Sequence, residues 1–211
     1  MIGVSSEVQA RFPGLYYGEA VLENIVVRES SSRIEEEKQL LLEEWRGKSK
    51  ADLDENEMIQ TYREFYRSLG LSPKKKPPAM ETLIVRCVLR SFLPKINNVV
   101  DVCNIASAKY LLPMAVFDLD QFVGEATLRY STGEELIQPI GRPQPEPIRS
   151  GLVILSDEAN VISIFSFKDS EFYKIQPTTR NILMVGCHID GIEDQRITGA
   201  LTFATGLINA S

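Results

Sequence analysis

The sequence predicts an α+β fold in which a mixed, largely antiparallel β-sheet is packed by helices. Three observations carry this. Helical and strand-like stretches are segregated rather than alternating, in the order strand, three helices, a buried helix, a set of strands and a final helix. The apolar period changes from helical to two-residue spacing after Gly124, where Ala126, Leu128 and Tyr130 alternate with Thr127, Arg129 and Ser131. Short continuous apolar runs at 152–155, 161–167 and 181–188 have the length and content of strands covered on both faces.

In chain order, residues 12–27 are aromatic and β-branched without helical phase, which predicts a strand or a pair of strands. Serines 30–32 precede a charged stretch, 33–50, in which Ile34, Leu41 and Trp45 share a face, so a serine-capped amphipathic helix follows. A second helix is predicted over 54–69 from Met58, Tyr62, Phe65, Tyr66 and Leu69, with Gly70 ending it. The stiff basic segment 72–78 then leads through Pro78 into a third helix with Met80, Leu83, Ile84, Cys87 and Val88 inward and Arg86 and Arg90 outward.

The central stretch runs from Asn97 to Gly124. Val99, Val102, Cys103, Ala106 and Tyr110 cover most of a helical cylinder, which places this helix inside. Asn97, Asp101 and Asn104 interrupt it as one polar stripe at i, i+4 and i+7. Buried polar groups need partners, so the stripe either stitches core to loop backbone or lines a polar pocket. Pro113 stops the helix, and residues 117–120 read as a compact turn. Beyond residue 132 come a turn, a short strand at 136–140, a proline-rich surface loop to Pro147, and two strands separated by a turn at 156–160. His188 closes the last strand as a hydrogen-bonded structural residue. A final helix is predicted from Asp194, a candidate cap, with Ile197, Leu201, Ala204 and Ile208 inward and Gly199, Ala200 and Gly206 allowing a close approach to a sheet.

The 211 residues suit one domain, and 44% apolar with 25% charged residues is a globular balance without a membrane-length apolar run. The N-terminus carries no export pattern. One histidine and three scattered cysteines argue against a zinc site and a disulfide framework, so a cytoplasmic protein without metal or cofactor is expected. The net charge of −6 is uneven: residues 63–95 hold eight basic and two acidic side chains, leaving −12 elsewhere. That segment either meets a phosphate-bearing partner or is a solvated helix face.

No GxGxxG, GxxxxGK[ST], GxSxG or HExxH occurs. The stretches NNVVDVCN (97–104), LPMAVFDLD (112–120) and TTRNILMV (178–185), in this order with Arg129, Gly141 and Asp157 between them, resemble the B3/B4 domain. That module is the editing domain of the phenylalanyl-tRNA synthetase beta subunit and also occurs as a free-standing protein. The likeness covers residues 60–208 of a single domain, with 1–59 as a family-variable extension. It implies a B3/B4-like sheet and helices enclosing a pocket that, in the synthetase, hydrolyses misacylated tRNA.

By the same resemblance Asn98, Asp101 and Asp169 are the candidate catalytic residues around a water, and Asn97, Asn104, Asp118, Lys95 and Thr179 the candidate substrate contacts. Lys74, Lys75, Lys76, Arg86 and Arg90 are candidates for touching nucleic acid. Two positions depart from the family pattern: the editing histidine is Ala115 and the pocket glutamate is Val185. The functions implied are binding or deacylation of a tRNA-borne or related aminoacyl ester, or, alternatively, a non-catalytic module for an amino acid, a nucleotide or a protein. The partner expected is tRNA or an aminoacyl ester, and not a membrane.

Overall fold

The computed structural model describes residues 2–165 and 167–210, so Ser166 of the predicted 161–167 run lies outside the described residues. The chain opens with β1 (Gly3–Val4) and a short helix α1 (Ser6–Arg11), followed by β2 (Tyr16–Leu22). Four helices come next: α2 (Ser32–Glu44), α3 (Lys50–Asp54), α4 (Glu57–Ser68) and α5 (Ala79–Arg90). The central helix α6 (Asn98–Lys109) leads into β3 (Met114–Asp118). The strands β4 (Thr127–Tyr130), β5 (Leu136–Ile137), β6 (Glu146–Pro147), β7 (Val153–Ser156), β8 (Val161–Ile164), β9 (Lys168–Asp169) and β10 (Ile182–His188) precede the last helix, α7 (Asp194–Asn209).

The strands form a five-stranded sheet in the order β1-β4-β7-β8-β9, a three-stranded sheet β2-β10-β3 and the pair β5-β6. Only β1 and β4 run parallel among the described pairs, so the fold is α+β with largely antiparallel sheets, as the segregated pattern predicts. The aromatic stack of Tyr17 on Phe165, 5.5 Å between centroids, links the two larger sheets.

The serine cap is Ser31, whose hydroxyl accepts from the Ile34 amide, and Gly70 adopts φ +73° after α4 with its amide bonded to the Arg67 carbonyl. Several local expectations need correction. The strand predicted at 136–140 is only Leu136–Ile137, and the proline-rich stretch predicted as a loop ends in the strand Glu146–Pro147 that pairs with it. Residues 117–120 are not a single turn, because Phe117 and Asp118 finish β3 against Leu183 and Ile182, and only Leu119–Gln121 coil into a 3-10 turn. Strand pairing outweighs the local turn chemistry there. The charged helix ends at Glu44, and Ser49 with Asp52 forms a capping box that starts the separate helix α3. The cap of α7 is Glu193, one residue before the expected Asp194.

The close approach of α7 to the sheet rests on glycines in the strands and on the fully buried Ala200 of the helix rather than on Gly199 or Gly206. Gly18 and Gly186 face each other in register, and a Cβ on Gly18 would stand 2.3 Å from Ile197 Cγ2. Gly199 instead receives the Tyr110 ring, and Gly206 faces open space. Gly18→Ala is therefore expected to cost about 1–3 kcal/mol by overpacking. Urea denaturation would show a lower midpoint with an unchanged slope, and an unaltered midpoint would mean that Ile197 yields freely.

Candidate functional site

The polar stripe of α6 divides into two sets of side chains with different surroundings. Asn97 is the N-cap, its Oδ1 accepting from the Val100 amide at 2.9 Å. Asn98 accepts from the Arg28 amide at 2.9 Å and donates to the Val26 carbonyl at 3.0 Å, holding the segment before α2 as a strand would. Asp101, fully buried, accepts from the Ile96 amide at 2.8 Å and from Lys38 Nζ at 2.7 Å. Lys95 is exposed and lies near enough to Glu35 to act on it, on the same side as this ion pair. The first turn of a helix has free amides and an entering chain to secure, and these side chains are used there.

Asp118 and Thr179 form a second stitch. Thr179 Oγ1 donates to Asp118 Oδ2 at 2.6 Å and accepts from the Gln176 amide, while Asp118 Oδ1 accepts from the Asp120 amide. Asp157 is likewise taken up by the amides of Val123, Ala159 and Asn160 and by the Tyr173 hydroxyl. His188 is structural as expected: its ring nitrogens lie 2.6 and 2.7 Å from the carbonyl oxygens of Gly14 and Ile192, and Tyr16 stacks on it.

Asn104, one turn further along α6 than Asp101, reaches a cavity of about 470 Å³. The cavity opens between β3 and β9, the outer strands of the two larger sheets, and beneath the start of α5. Asn104 and Asp169 meet there, and Tyr17, Lys76, Thr82 and Lys168 supply further polar groups. Leu83, Met114 and Ala115 make an apolar wall. Ala115 pairs with the fully buried Val185 across β3 and β10. Ala115 and Val185 are thus direct neighbours, and neither offers a group that can polarise water.

Asp169 is the unusual member of this lining. The residue is half-buried, yet its carboxyl sits deep enough that burial alone lifts its pKa to about 6. Among the described residues the carboxyl has no hydrogen bond or ion pair. Opposite it in the β8–β9 register, Ser163 Oγ is buried close to Tyr17 and completes no hydrogen bond of acceptable geometry. Buried polar groups without partners are uncommon and call for a ligand or ordered water.

The mouth is positive. Lys76 stands 4.2 Å from the centroid of the Phe167 ring, and Lys168 pairs with Glu146. Burial first, then the repulsion of Lys76 and Arg142, pushes the Lys168 ammonium below the ordinary lysine range. Lys74 and Lys75 are exposed on the same basic segment, whereas Arg86 and Arg90 lie further along α5 and do not line the cavity. Burial pushes the Cys87 and Cys103 thiols up to about 11 and about 12 and Cys187 higher still, so none of these buried sulfurs serves as a thiolate at neutral pH. Among the described residues there is no metal-ligating cluster, and no helix is long and apolar enough to cross a membrane.

Sequence reasoning missed Tyr17, Thr82, Lys168 and Lys38. The one available signal was for Lys38, a charged residue standing in the apolar stripe between Ile34 and Leu41.

The B3/4 domain model matches residues 61–205. The phenylalanine–tRNA ligase beta subunit of Fusobacterium nucleatum subsp. nucleatum is 29% identical over 92 residues, covering 44% of this chain and 11% of that protein. The corresponding subunit of Shewanella oneidensis is 27% identical over 95 residues, covering 45% of this chain and 12% of that protein. The chain thus spans only about an eighth of the length of these curated relatives. A crystal structure of an N-terminal fragment of the phenylalanyl-tRNA synthetase beta-subunit from Pyrococcus horikoshii aligns with a TM-score of 0.49 at 12% identity, covering 99% of this chain and 48% of that one.

Proposed function

This chain belongs to the B3/4 domain family, and on that premise we propose that the cavity receives the aminoacyl end of an aminoacyl ester, with tRNA as the carrier. The observation that carries the reading is the Asp169 carboxyl, buried at the cavity without a partner. An α-ammonium group is the complement such a carboxylate requires, and a largely water-excluded site strengthens the pair. Asn104 offers an amide to the acyl carbonyl, Leu83, Met114 and Ala115 accept an apolar side chain, and Lys76 and Lys168 at the mouth suit the phosphate on the 5′ side of the esterified ribose. A volume of about 470 Å³ is in the range of small-ligand sites.

Hydrolysis needs a water between the acyl carbon and a proton acceptor. Asp169, mostly ionised at neutral pH, is the acceptor the lining offers, with no thiolate to act as a covalent nucleophile. A carboxylate already paired with ammonium cannot take that proton in the same complex. Binding without rapid cleavage is therefore the second reading, and the apolar Ala115–Val185 pair favours it.

Two measurements decide. Leucinamide or tyrosinamide, which carry the ammonium without a carboxylate, should raise the melting temperature, by about 2.7 kcal/mol of added stability at 100 times Kd, and should fail to do so with Asp169→Asn. Incubation with misacylated tRNAs then separates the two readings, since deacylation faster than in buffer establishes the enzyme. Absence of any shift with either amide, together with no deacylation, overturns the proposal.

A further inference from the structure

A second hollow, about 670 Å³, lies on the other side of the basic segment, bounded by α3, α4 and α5. Pro77 lines both hollows, so the Lys74–Lys76 run is the ridge between them. Its charges are asymmetrically paired. Arg63 is fully used within the wall, its Nε and Nη2 donating to the two Glu81 oxygens at 3.0 and 2.6 Å and its Nη1 to Asp54 at 2.7 Å. One arginine stands against two carboxylates there, so the trio keeps a net charge of −1, which the three further cations of the lining turn to +2. Lys50, Arg67 and Lys74 are left without an ion pair or hydrogen bond to their side-chain nitrogens among the described residues.

The floor between them is apolar, with Leu71, Val85 and Leu89, the last of them 64% exposed. Across the ridge, Lys76 and Arg142 lie near enough to Lys168 to repel its ammonium, which pairs with Glu146. The positive groups therefore run continuously from the mouth of the cavity, over residues 74–76, into the cleft.

We propose that this cleft binds a single-stranded RNA segment, the nucleotides that precede the acylated end held in the cavity. Phosphates meet Lys50, Arg67 and Lys74 at the rim, and base or ribose faces rest on Leu71, Val85 and Leu89. A cationic groove that tracks the backbone is the electrostatic part of a single-strand site, and Leu71, Val85 and Leu89 stand where such a site presents its surface to the bases. The proposal rests on the cavity reading for its direction, since the acyl end fixes which nucleotides enter the cleft.

The test is fluorescence anisotropy with a single-stranded RNA of about 12 nucleotides labelled at its 5′ end, within the span of ordinary single-strand sites. The protein should bind at low salt, with log K falling against log salt by roughly 0.7 per phosphate neutralised. The variant carrying Lys50→Glu and Arg67→Glu should bind roughly tenfold more weakly or worse, while its thermal shift with leucinamide stays that of the parent, which also shows that it folds. Lys74→Gln provides a milder second variant with a smaller loss. Unchanged RNA affinity in both variants, or no RNA binding by the parent at low salt, overturns the cleft assignment. RNA binding lost in these variants but no amide shift in any protein sinks the cavity reading and leaves the cleft standing.

Discussion

Lys38→Met is expected to lower the folding stability by about 3–5 kcal/mol, the range seen when one partner of a buried ion pair is removed. Lys38 is 4% exposed and Asp101 fully buried, and the 2.7 Å contact between them joins α2 to α6. Methionine fills the space but leaves the Asp101 carboxylate with the Ile96 amide as its remaining partner. The second contact of Lys38, to Glu35 at 3.2 Å, is at the half-exposed end of the network and contributes less. Converting both residues together, Lys38→Met with Asp101→Leu, should recover most of the loss, because no buried charge is then left unpaired. Recovery is incomplete to the extent that the Ile96 amide loses its acceptor. Urea denaturation of the two single variants and the double variant measures the coupling directly. A single variant within 1 kcal/mol of the parent would show that the pair is dispensable.

Asp169→Asn has the opposite sign and a characteristic dependence on pH. The carboxyl has a folded pKa of about 6 against an ordinary 3.8, so between these values the native state keeps a proton that the unfolded chain has released. Stability consequently falls as pH rises from about 4 to about 6, by up to about 3 kcal/mol at 1.36 kcal/mol per unit. Asparagine removes this loss. The variant should exceed the parent by about 2–3 kcal/mol at pH 8 and converge with it near pH 4, as read from urea midpoints across that range. The same substitution abolishes the amide-induced thermal shift described above. A residue whose replacement stabilises the fold while removing ligand binding is held in place by function and not by packing. A difference between the two proteins that stays constant with pH would show that this carboxyl is not the titrating group.

Much of the architecture was legible because most of the longer helices declare themselves locally, whereas α1 and the separate α3 were not expected. Ser31 caps α2 within the serine run that predicts it, Gly70 ends α4, and the apolar runs of β7, β8 and β10 are the most buried strands. What was not legible depends on partners distant in sequence. Phe117 and Asp118 become strand through β10, some 65 residues on, and no local signal announces that. Gly18 matters through Ile197, across most of the chain.

The site was legible by residue type and only in part by place. Short polar residues on a buried helix were rightly singled out as needing partners, but spacing along α6 cannot say which turn secures the chain entry and which faces a hollow. Asn97, Asn98 and Asp101 are engaged by main chain and by Lys38, while Asn104 and Asp169, 65 residues apart, meet across the cavity. Tyr17 and Lys168 join them from strands whose relation only the folded sheets define.

The ridge between the two hollows is built from three lysines set between Pro73 and the pair Pro77–Pro78, and the amides of Lys75 and Lys76 both bond back to the Ser72 carbonyl. Proline rings fix three of the backbone torsions in this short span, and the turn fixes others. Much of the conformational freedom that a loop ordinarily surrenders on meeting its ligand is therefore given up already during folding. An anion arriving at this place meets pre-organised charge, so the entropic penalty of association is confined largely to the lysine side chains.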